Sequence, residues 1–238
     1  MSSKPLILIT GASRGIGRAL ALRFASTHSI LAAARDADVL AGVISEVRAE
    51  GGAAEALVLD LADRQSIPSR IASALRGRNL DVLVHNAGVG VMKPLLELTP
   101  DEWHTMMDVN VNALYHVTRA VLPGMVARGR GHIVIIGSIA GRSAFVGGTG
   151  YATTKHAVMG FAENLMLEVR DAGVKVSVVS PGSVATDFGG GGGGPRATSQ
   201  LRAEDVAAAV MSVVDTPAEV LIHRVEVRIL SPKRPRDE

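Results

Sequence analysis

Three residues with clear chemical potential lie within one short stretch of the chain: Ser138, Tyr151 and Lys155. Ser138 follows the apolar run His132–Ile136, which is typical of a buried parallel strand, so its hydroxyl is expected at the carboxyl end of that strand. Tyr151 and Lys155 are four residues apart and therefore share one face of the helix that is predicted to begin near Tyr151. A phenol beside an ammonium and a hydroxyl can donate a proton to a carbonyl oxygen.

The expected effect of Lys155 on Tyr151 is electrostatic. A free tyrosine has a pKa of about 10, and an ammonium about 4 Å away contributes roughly 4 kcal/mol at an effective dielectric of ~20. Because one pKa unit corresponds to ~1.36 kcal/mol, we expect the pKa of Tyr151 to fall by about 3 units, with desolvation opposing part of this change. The alternative is a core tyrosine beside a lysine with a buried stem.

A glycine-rich loop, Thr10–Gly17, joins the first predicted strand to the first predicted helix. Glycines permit a tight turn and a close approach of the backbone to a phosphate, and the N-terminus of the helix offers free N–H groups. A loop of this kind alone is weak evidence, but its place between a strand and a helix predicts a dinucleotide-binding site.

Arg35 follows the second predicted strand, where it indicates which dinucleotide is bound. An acid there would hydrogen-bond an adenosine 2′-hydroxyl and favour NAD(H), whereas an arginine can bind a 2′-phosphate through its forked guanidinium. Arg14, in the glycine loop, can supply a second cation. Asp36 could pair with Arg35 or weaken the phosphate site. NADP(H) is therefore the preferred cofactor, and NAD(H) stays open as the alternative.

Composition excludes several classes of protein. A formal charge of +2 over 238 residues is too small to imply a nucleic-acid partner. The absence of cysteine excludes disulfides and thiol catalysis, and the seven histidines show no metal-ligand spacing, so no metal site is expected. No apolar run approaches the roughly 18 residues that span a bilayer, and the N-terminus lacks the layout of a signal peptide. We expect no membrane partner and a cytoplasmic location.

The order of strands and helices predicts the fold class. About seven apolar runs alternate with segments of helical period, which favours an α/β fold. Such alternation is typical of a Rossmann-like, doubly wound parallel sheet with helices on both faces. No segment of linker composition divides the chain, so residues 1–238 are expected to form a single domain.

Several element boundaries follow from local signals. The third strand is predicted at Leu57–Leu59, and the last at Val225–Leu230. A capping threonine, Thr99, begins a helix that is expected to run towards Arg128 with a bend near Pro123.

The motifs occur in the order that characterises the short-chain dehydrogenase/reductase family, which this chain resembles from Leu6 to about Leu230. The motifs that carry the resemblance are Thr-Gly-x-x-x-Gly-x-Gly from Thr10 to Gly17, Asn86-Ala87-Gly88, Ser138, Tyr151-x-x-x-Lys155 and Pro181-Gly182. Because several motifs appear together in the right order, a chance match is not a reasonable explanation.

The resemblance implies a role for each catalytic candidate. Tyr151 would be the general acid/base, Lys155 would lower its pKa and hold the nicotinamide ribose, and Ser138 would orient the carbonyl. Asn110 matches the residue that supports a proton relay through the fourth helix. These implications define the expected catalytic set as Ser138, Tyr151, Lys155 and Asn110.

The resemblance also implies the cofactor site. Asp60 would contact the adenine, Asn86–Gly88 would brace the sheet, and Thr186 would contact the carboxamide. The full expected set of cofactor-binding residues is Gly11, Ser13, Arg14, Gly15, Ile16, Gly17, Arg35, Asp60, Leu61, Asn86, Ala87, Gly88, Tyr151, Lys155, Pro181, Gly182, Val184 and Thr186.

The segment 183–202 is expected to close over the substrate. It contains Gly189–Gly194, and a run of glycines has little conformational preference and loses much entropy on ordering. The sequence therefore predicts a flexible, weakly selective lid with Phe188 as its main apolar contact, and a loose tail at 231–238. The candidate residues for an apolar pocket wall are Val91, Met92, Phe145 and Val146.

The sequence thus predicts an oxidoreductase that transfers a hydride between NADP(H) and a small-molecule carbonyl or secondary alcohol, as a carbonyl reductase or alcohol dehydrogenase does. One rival is a non-catalytic regulatory protein that binds the cofactor. A second rival, an epimerase or dehydratase, usually needs a longer substrate domain than this chain provides. A homodimer or homotetramer is expected, with the helix around 157–169 available to pack across a two-fold axis.

Overall fold

The computed structural model describes residues 4–190 and 200–230. The strands are β1 (Leu6–Thr10), β2 (Ser29–Ala34), β3 (Ala53–Val58), β4 (Val82–His85), β5 (Gly131–Ile136), β6 (Val174–Pro181) and β7 (Arg224–Val227). The α-helices are α1 (Gly15–Phe24), α2 (Ala37–Ala49), α3 (Ile67–Leu75), α4 (Pro100–Met107), α5 (Ala113–Ala127), α6 (Thr149–Val169) and α7 (Ala203–Val214). Residues 191–199 of the predicted lid, which include Gly191–Gly194, and the predicted tail 231–238 lie outside the described residues.

The seven strands form one parallel sheet in the order β3-β2-β1-β4-β5-β6-β7. The chain builds outward from β1 to β3 and then returns to place β4 on the other side of β1. The order therefore reverses between β1 and β4, and a crevice forms there at the carboxyl ends of the strands.

The sheet is covered on both faces, which explains why its central strands are apolar throughout. On one face Leu8, Leu83 and Ile133 pack with helices α3, α5 and α6. On the other face Ile9 and Val134 pack with α1, α2 and α7. The predicted doubly wound sheet with two helical layers is confirmed.

Two predicted boundaries are wrong. Strand β3 begins at Ala53, four residues before the predicted start at Leu57. It is an edge strand in which only Ala54 and Leu57 are buried, so its first half does not form the apolar run that the prediction required. The last strand is Arg224–Val227 and does not extend to Leu230. It is also an edge strand, and all of its residues are partly or fully exposed.

The helix predicted from Thr99 to Arg128 is interrupted, but not at Pro123. Thr99 caps helix α4 as predicted and forms a capping box, in which Thr99 accepts from the Glu102 N–H and the Glu102 carboxylate accepts from the Thr99 N–H. A π-helical turn at Asp108–Asn112 separates α4 from α5, and α5 continues through Pro123. π-helical turns are frequent at functional sites, and this one contains the predicted catalytic residue Asn110.

Among the described residues, no helix is both long enough and apolar enough to span a bilayer.

Candidate active site

Strand β5 and helix α6 bring Ser138, Tyr151 and Lys155 together. Ser138 follows β5, and its Oγ accepts a hydrogen bond from the Ala140 N–H at 3.1 Å, which fixes the side chain at the start of a short 3₁₀ turn. Tyr151 and Lys155 lie on the buried face of α6 and are 8% and 7% exposed. The shared helical face predicted from their spacing is observed.

The predicted lowering of the Tyr151 pKa is wrong. Burial raises the pKa of Tyr151 above its ordinary value, and a hydrogen bond with Ser138 opposes this only in part. The Lys155 Nζ donates to the Ile136 carbonyl at 3.0 Å and lies 5.8 Å from the centre of the Tyr151 ring. Because the ammonium points to β5 and the phenol is desolvated, Tyr151 is a protonated phenol at neutral pH.

Burial also changes Lys155 itself. Desolvation lowers the pKa of Lys155 to about 8. An ammonium inside the protein is costly because the surroundings solvate it less well than water. Lys155 is therefore still mostly charged at neutral pH, but it loses its proton far more readily than an exposed lysine does.

Asn110 connects the π-helical turn to two other segments. Its Oδ1 accepts from the Val89 N–H at 2.8 Å, and its Nδ2 donates to the Val89 carbonyl at 2.8 Å and to Thr154 Oγ1 at 3.0 Å. The Thr154 hydroxyl in turn donates to the Tyr151 carbonyl at 2.8 Å. Asn110 thus holds the chain after β4 against the helix that carries Tyr151.

The loops after β1 and β4 are joined by Thr10 and Asn86. The Thr10 hydroxyl accepts from the backbone N–H groups of Asn86 and Ala87, both at 3.1 Å. The Asn86 amide donates to the carbonyls of Thr10 and Gly11 at 2.9 and 3.0 Å. Sequence analysis did not assign a role to the Thr10 hydroxyl, although a threonine that ends a strand beside the glycine loop was a usable signal.

Gly17 is required by the close packing of α1 on this junction. A Cβ at this position would lie 2.1 Å from the Gly11 carbonyl oxygen and 2.6 Å from Asn86 Nδ2. No side chain fits in that space, so the third glycine of the loop allows the helix to approach the strand end. Gly17 is thereby a packing residue and does not line the cavity described next.

One cavity of about 960 Å³ opens at the crevice between β1 and β4. It is large enough for a small ligand or cofactor. Of the predicted site residues, Gly17 and Asn110 lie outside its lining. The others line it: Gly11, Ser13, Arg14, Gly15, Ile16, Arg35, Asp60, Leu61, Asn86, Ala87, Gly88, Ser138, Tyr151, Lys155, Pro181, Gly182, Val184 and Thr186.

The glycine-loop end of the cavity fits a dinucleotide. Arg14 is the N-cap residue of α1 and makes no side-chain cap to it, so no side chain takes the place of an anion at that N-terminus. Arg35, an exposed residue directly after β2, lines the same end of the cavity. An anion-binding helix end and nearby cations suit a phosphorylated ligand.

Asp36 does not pair with Arg35. Its Oδ1 accepts from the N–H groups of Asp38 and Val39, both at 3.0 Å, so the carboxylate caps helix α2. Arg14 does have an acidic partner, Asp187, whose carboxylate lies 3.8 Å from the guanidinium in a solvent-exposed ion pair. Sequence analysis assigned Thr186 to the cofactor site but gave no role to Asp187 beside it, because the sequence does not show which side chain of this segment faces Arg14.

Two of the four residues predicted to form the apolar pocket wall line the cavity. Met92 and Phe145 line the cavity. Val91 instead packs with the cluster around Met106, and Val146 is 96% exposed and outside the lining. Phe188 lines the cavity, and its ring centre lies 5.5 Å from that of Tyr151 with the ring planes at 59°.

The described ends of the predicted lid segment pair with each other. Val184 and Leu201 form a parallel bridge, in which the Ala185 N–H donates to the Leu201 carbonyl and the Leu201 N–H to the Ser183 carbonyl, both at 2.9 Å. Thr186 packs near the glycine loop, since a Cβ at Gly15 would lie 3.2 Å from its methyl carbon. The flexibility of the segment stays a prediction.

Within residues 4–190 and 200–230, no group of three or more histidine, cysteine or acidic side chains could hold a metal ion.

Comparison with known proteins supplies the family. A family model described as short chain dehydrogenase matches residues 5–191. The chain belongs to the short-chain dehydrogenase family. An NADP-dependent 3-hydroxy acid dehydrogenase of Salmonella typhi is 36% identical over 235 residues, covering 93% of this chain and 94% of the relative. Sulfoacetaldehyde reductase 2 of Chromohalobacter salexigens is 35% identical, and the match covers 93% of each chain.

A solved structure shares the complete fold of this short-chain dehydrogenase. An alcohol dehydrogenase from the archaeon Thermococcus sibiricus, complexed with 5-hydroxy-NADP, has a TM-score of 0.91 and 30% identity. The match covers 98% of this chain and 99% of that one. The resemblance stated from the motifs and the predicted oxidoreductase class are confirmed.

Proposed function

We propose that this short-chain dehydrogenase interconverts a carbonyl compound and a secondary alcohol with NADP(H), as a carbonyl reductase or alcohol dehydrogenase does. The proposal rests chiefly on one observation: the buried phenol of Tyr151 and the hydroxyl of Ser138 line the same cavity as the glycine loop. A proton donor and a cavity that can hold the hydride-carrying cofactor are the two parts that carbonyl reduction needs.

The catalytic residues act on the carbonyl oxygen. Ser138 donates a hydrogen bond that polarises the carbonyl, and Tyr151, protonated at neutral pH, donates its proton to the same oxygen. When bound, NADPH supplies the hydride that reduces the carbonyl carbon. Lys155 lies on the same helical face as Tyr151, with its Nζ 5.8 Å from the centre of the phenol ring, and would hold the nicotinamide ribose of the bound cofactor. In the oxidation direction, the Tyr151 phenolate accepts the proton of the alcohol.

The residues that would hold the cofactor are those of the glycine-loop end. The N-terminus of α1 would bind the pyrophosphate. Arg35 and Arg14 would bind the 2′-phosphate, Asp60 would contact the adenine and Thr186 the carboxamide. The NADP-dependent relative and the alcohol dehydrogenase complexed with 5-hydroxy-NADP support the choice of NADP(H) over NAD(H).

A carbonyl panel tests the proposal. The protein is mixed with NADPH or NADH and a set of ketones and aldehydes, and the nicotinamide absorbance is followed. We expect at least one substrate to be reduced, with NADPH preferred. A protein that binds NADPH tightly but reduces no member of a broad panel would instead be the regulatory protein of the rival hypothesis.

A further inference from the structure

Three large apolar side chains line the same cavity as Tyr151. They are Phe188, Met92 and Phe145, which are 38%, 44% and 44% exposed, and the Phe188 ring centre lies 5.5 Å from that of Tyr151. We call these three residues the apolar rim. Large apolar side chains that are left exposed beside a reactive group provide a surface for an apolar ligand.

Gly90 makes room for the central member of the rim. A Cβ at Gly90 would lie 2.6 Å from Phe188 Cε1 and 2.9 Å from Cζ, so any side chain there would displace the ring. Phe188 can therefore rest against the chain after β4 and against the ring of Tyr151 at the same time. Because Gly90 has no side chain, the Phe188 ring can occupy this position.

In the described part of the chain, each cation that lines the cavity is bound to another protein group or lies far from Ser138. Lys155 donates to the Ile136 carbonyl, and Arg14 pairs with Asp187. Arg35 follows β2, which lies three strands from β5, so it is about 14 Å away from the Ser138 end of the cavity at ~4.8 Å per strand. Asp187 offsets the charge of Arg14, and Lys155 keeps its charge but directs it to the Ile136 carbonyl. A carboxylate that packed on Phe188 would lose its hydration, and the three residues of the apolar rim offer it no cation in return.

From these contacts we infer that the site takes uncharged ketones or aldehydes with an aromatic or branched alkyl group, which packs on Phe188, and that it discriminates against keto acids. The inference rests on the proposed function and names its substrate class. It also separates this chain from relatives whose names specify a 3-hydroxy acid and sulfoacetaldehyde, both of which carry an acid group.

A matched pair of substrates tests the charge preference. Acetoacetate and its ethyl ester present the same ketone, and only the first is an anion at pH 7. At saturating NADPH we expect kcat/KM for the ester to exceed that for acetoacetate by about 10-fold or more. In a second pair, without charge, we expect kcat/KM for 4-phenylbutan-2-one to exceed that for butanone. Equal or preferred reduction of acetoacetate overturns the inference but leaves the proposed function intact. Reduction of no carbonyl at all overturns both.

A charge introduced at the rim tests the role of Phe188. Phe188→Arg should reduce the preference for the ester at least several-fold, because it removes the apolar surface and supplies a cation. Val146→Arg adds the same charge at an exposed residue outside the cavity and should leave the ratio unchanged. An unchanged ratio in Phe188→Arg contradicts the proposal, provided that fluorescence titration gives the same NADPH affinity as the native protein.

Gly90→Ala provides a second test that leaves charge alone. The new methyl group displaces the Phe188 ring, so KM for 4-phenylbutan-2-one should rise several-fold while KM for butanone and the affinity for NADPH change little. A uniform rise in KM for both ketones would show that Gly90 and Phe188 do not select for the apolar group.

Discussion

Replacement of Lys155 by methionine is expected to stabilise the fold while it removes activity. Burial lowers the pKa of Lys155 from 10.5 to about 8, so folding disfavours the charged form. The difference of about 2.5 units corresponds to a cost of about 3.4 kcal/mol at neutral pH. Methionine is similar in size and carries no charge. It leaves the Ile136 carbonyl without its donor, which costs roughly 1–3 kcal/mol, so the net gain at pH 7 is about 1 kcal/mol.

The pH dependence separates the buried charge from packing effects. Between pH 8 and 10.5 the unfolded chain keeps the Lys155 proton and the folded protein does not, so native stability rises with pH in this window. At pH 9.5 the remaining cost is about 1.4 kcal/mol, whereas methionine does not titrate. The stability advantage of Lys155→Met should therefore shrink by about 2 kcal/mol from pH 7 to pH 9.5.

Urea unfolding at both pH values measures this change. The single tryptophan, Trp103, reports the transition by fluorescence, and circular dichroism provides a second probe. Lys4→Met, at an exposed lysine, is the control, and it should lack the stability gain of Lys155→Met at pH 7. A Lys155→Met advantage that stays constant or grows at pH 9.5 would refute the claim that burial of the Lys155 charge destabilises the fold.

Three further perturbations follow from the site and the core. Arg35→Asp should move the NADPH/NADH ratio of kcat/KM by at least 10-fold towards NADH, and an unchanged ratio would show that Arg35 does not bind the 2′-phosphate. Gly17→Ala should lower both the unfolding midpoint and the NADPH affinity, because its methyl group would collide with Gly11 and Asn86; native behaviour in a thermal shift and a titration would disprove that packing. Burial lowers the pKa of His132 to about 4, so the native protein loses stability as pH falls below 6.5. His132→Gln should reduce the loss between pH 7 and 4.5 by about 2.5 kcal/mol in urea unfolding, and an unaltered loss would place the acid sensitivity elsewhere.

Features that depend on local pattern could be predicted from the sequence. Apolar runs that alternate with helical segments determine a parallel sheet, and the carboxyl ends of parallel strands meet at one edge. For this reason the glycine loop, Ser138 and Tyr151 could be assigned to one cavity although they are distant in the chain. The spacing of Tyr151 and Lys155 likewise determined their common helical face.

Features that depend on burial depth and on long-range contacts could not be predicted. The spacing of Tyr151 and Lys155 does not show that α6 is deeply buried or that a β5 carbonyl accepts from the ammonium, so the direction of the Tyr151 pKa change was wrong. The π-helical turn contains Asn110, which binds Val89 and Thr154, 21 and 44 residues away, and no local pattern indicates those contacts. The single-domain assignment, the lid, the oligomeric state and the cytoplasmic location stay predictions.

The most direct test of the account is the turnover of Tyr151→Phe. This variant removes only the phenol hydroxyl, so NADPH should bind with native affinity in a fluorescence titration while kcat for ketone reduction falls by about 100-fold or more. Normal NADPH binding with native kcat would contradict the assignment of Tyr151 as the proton donor.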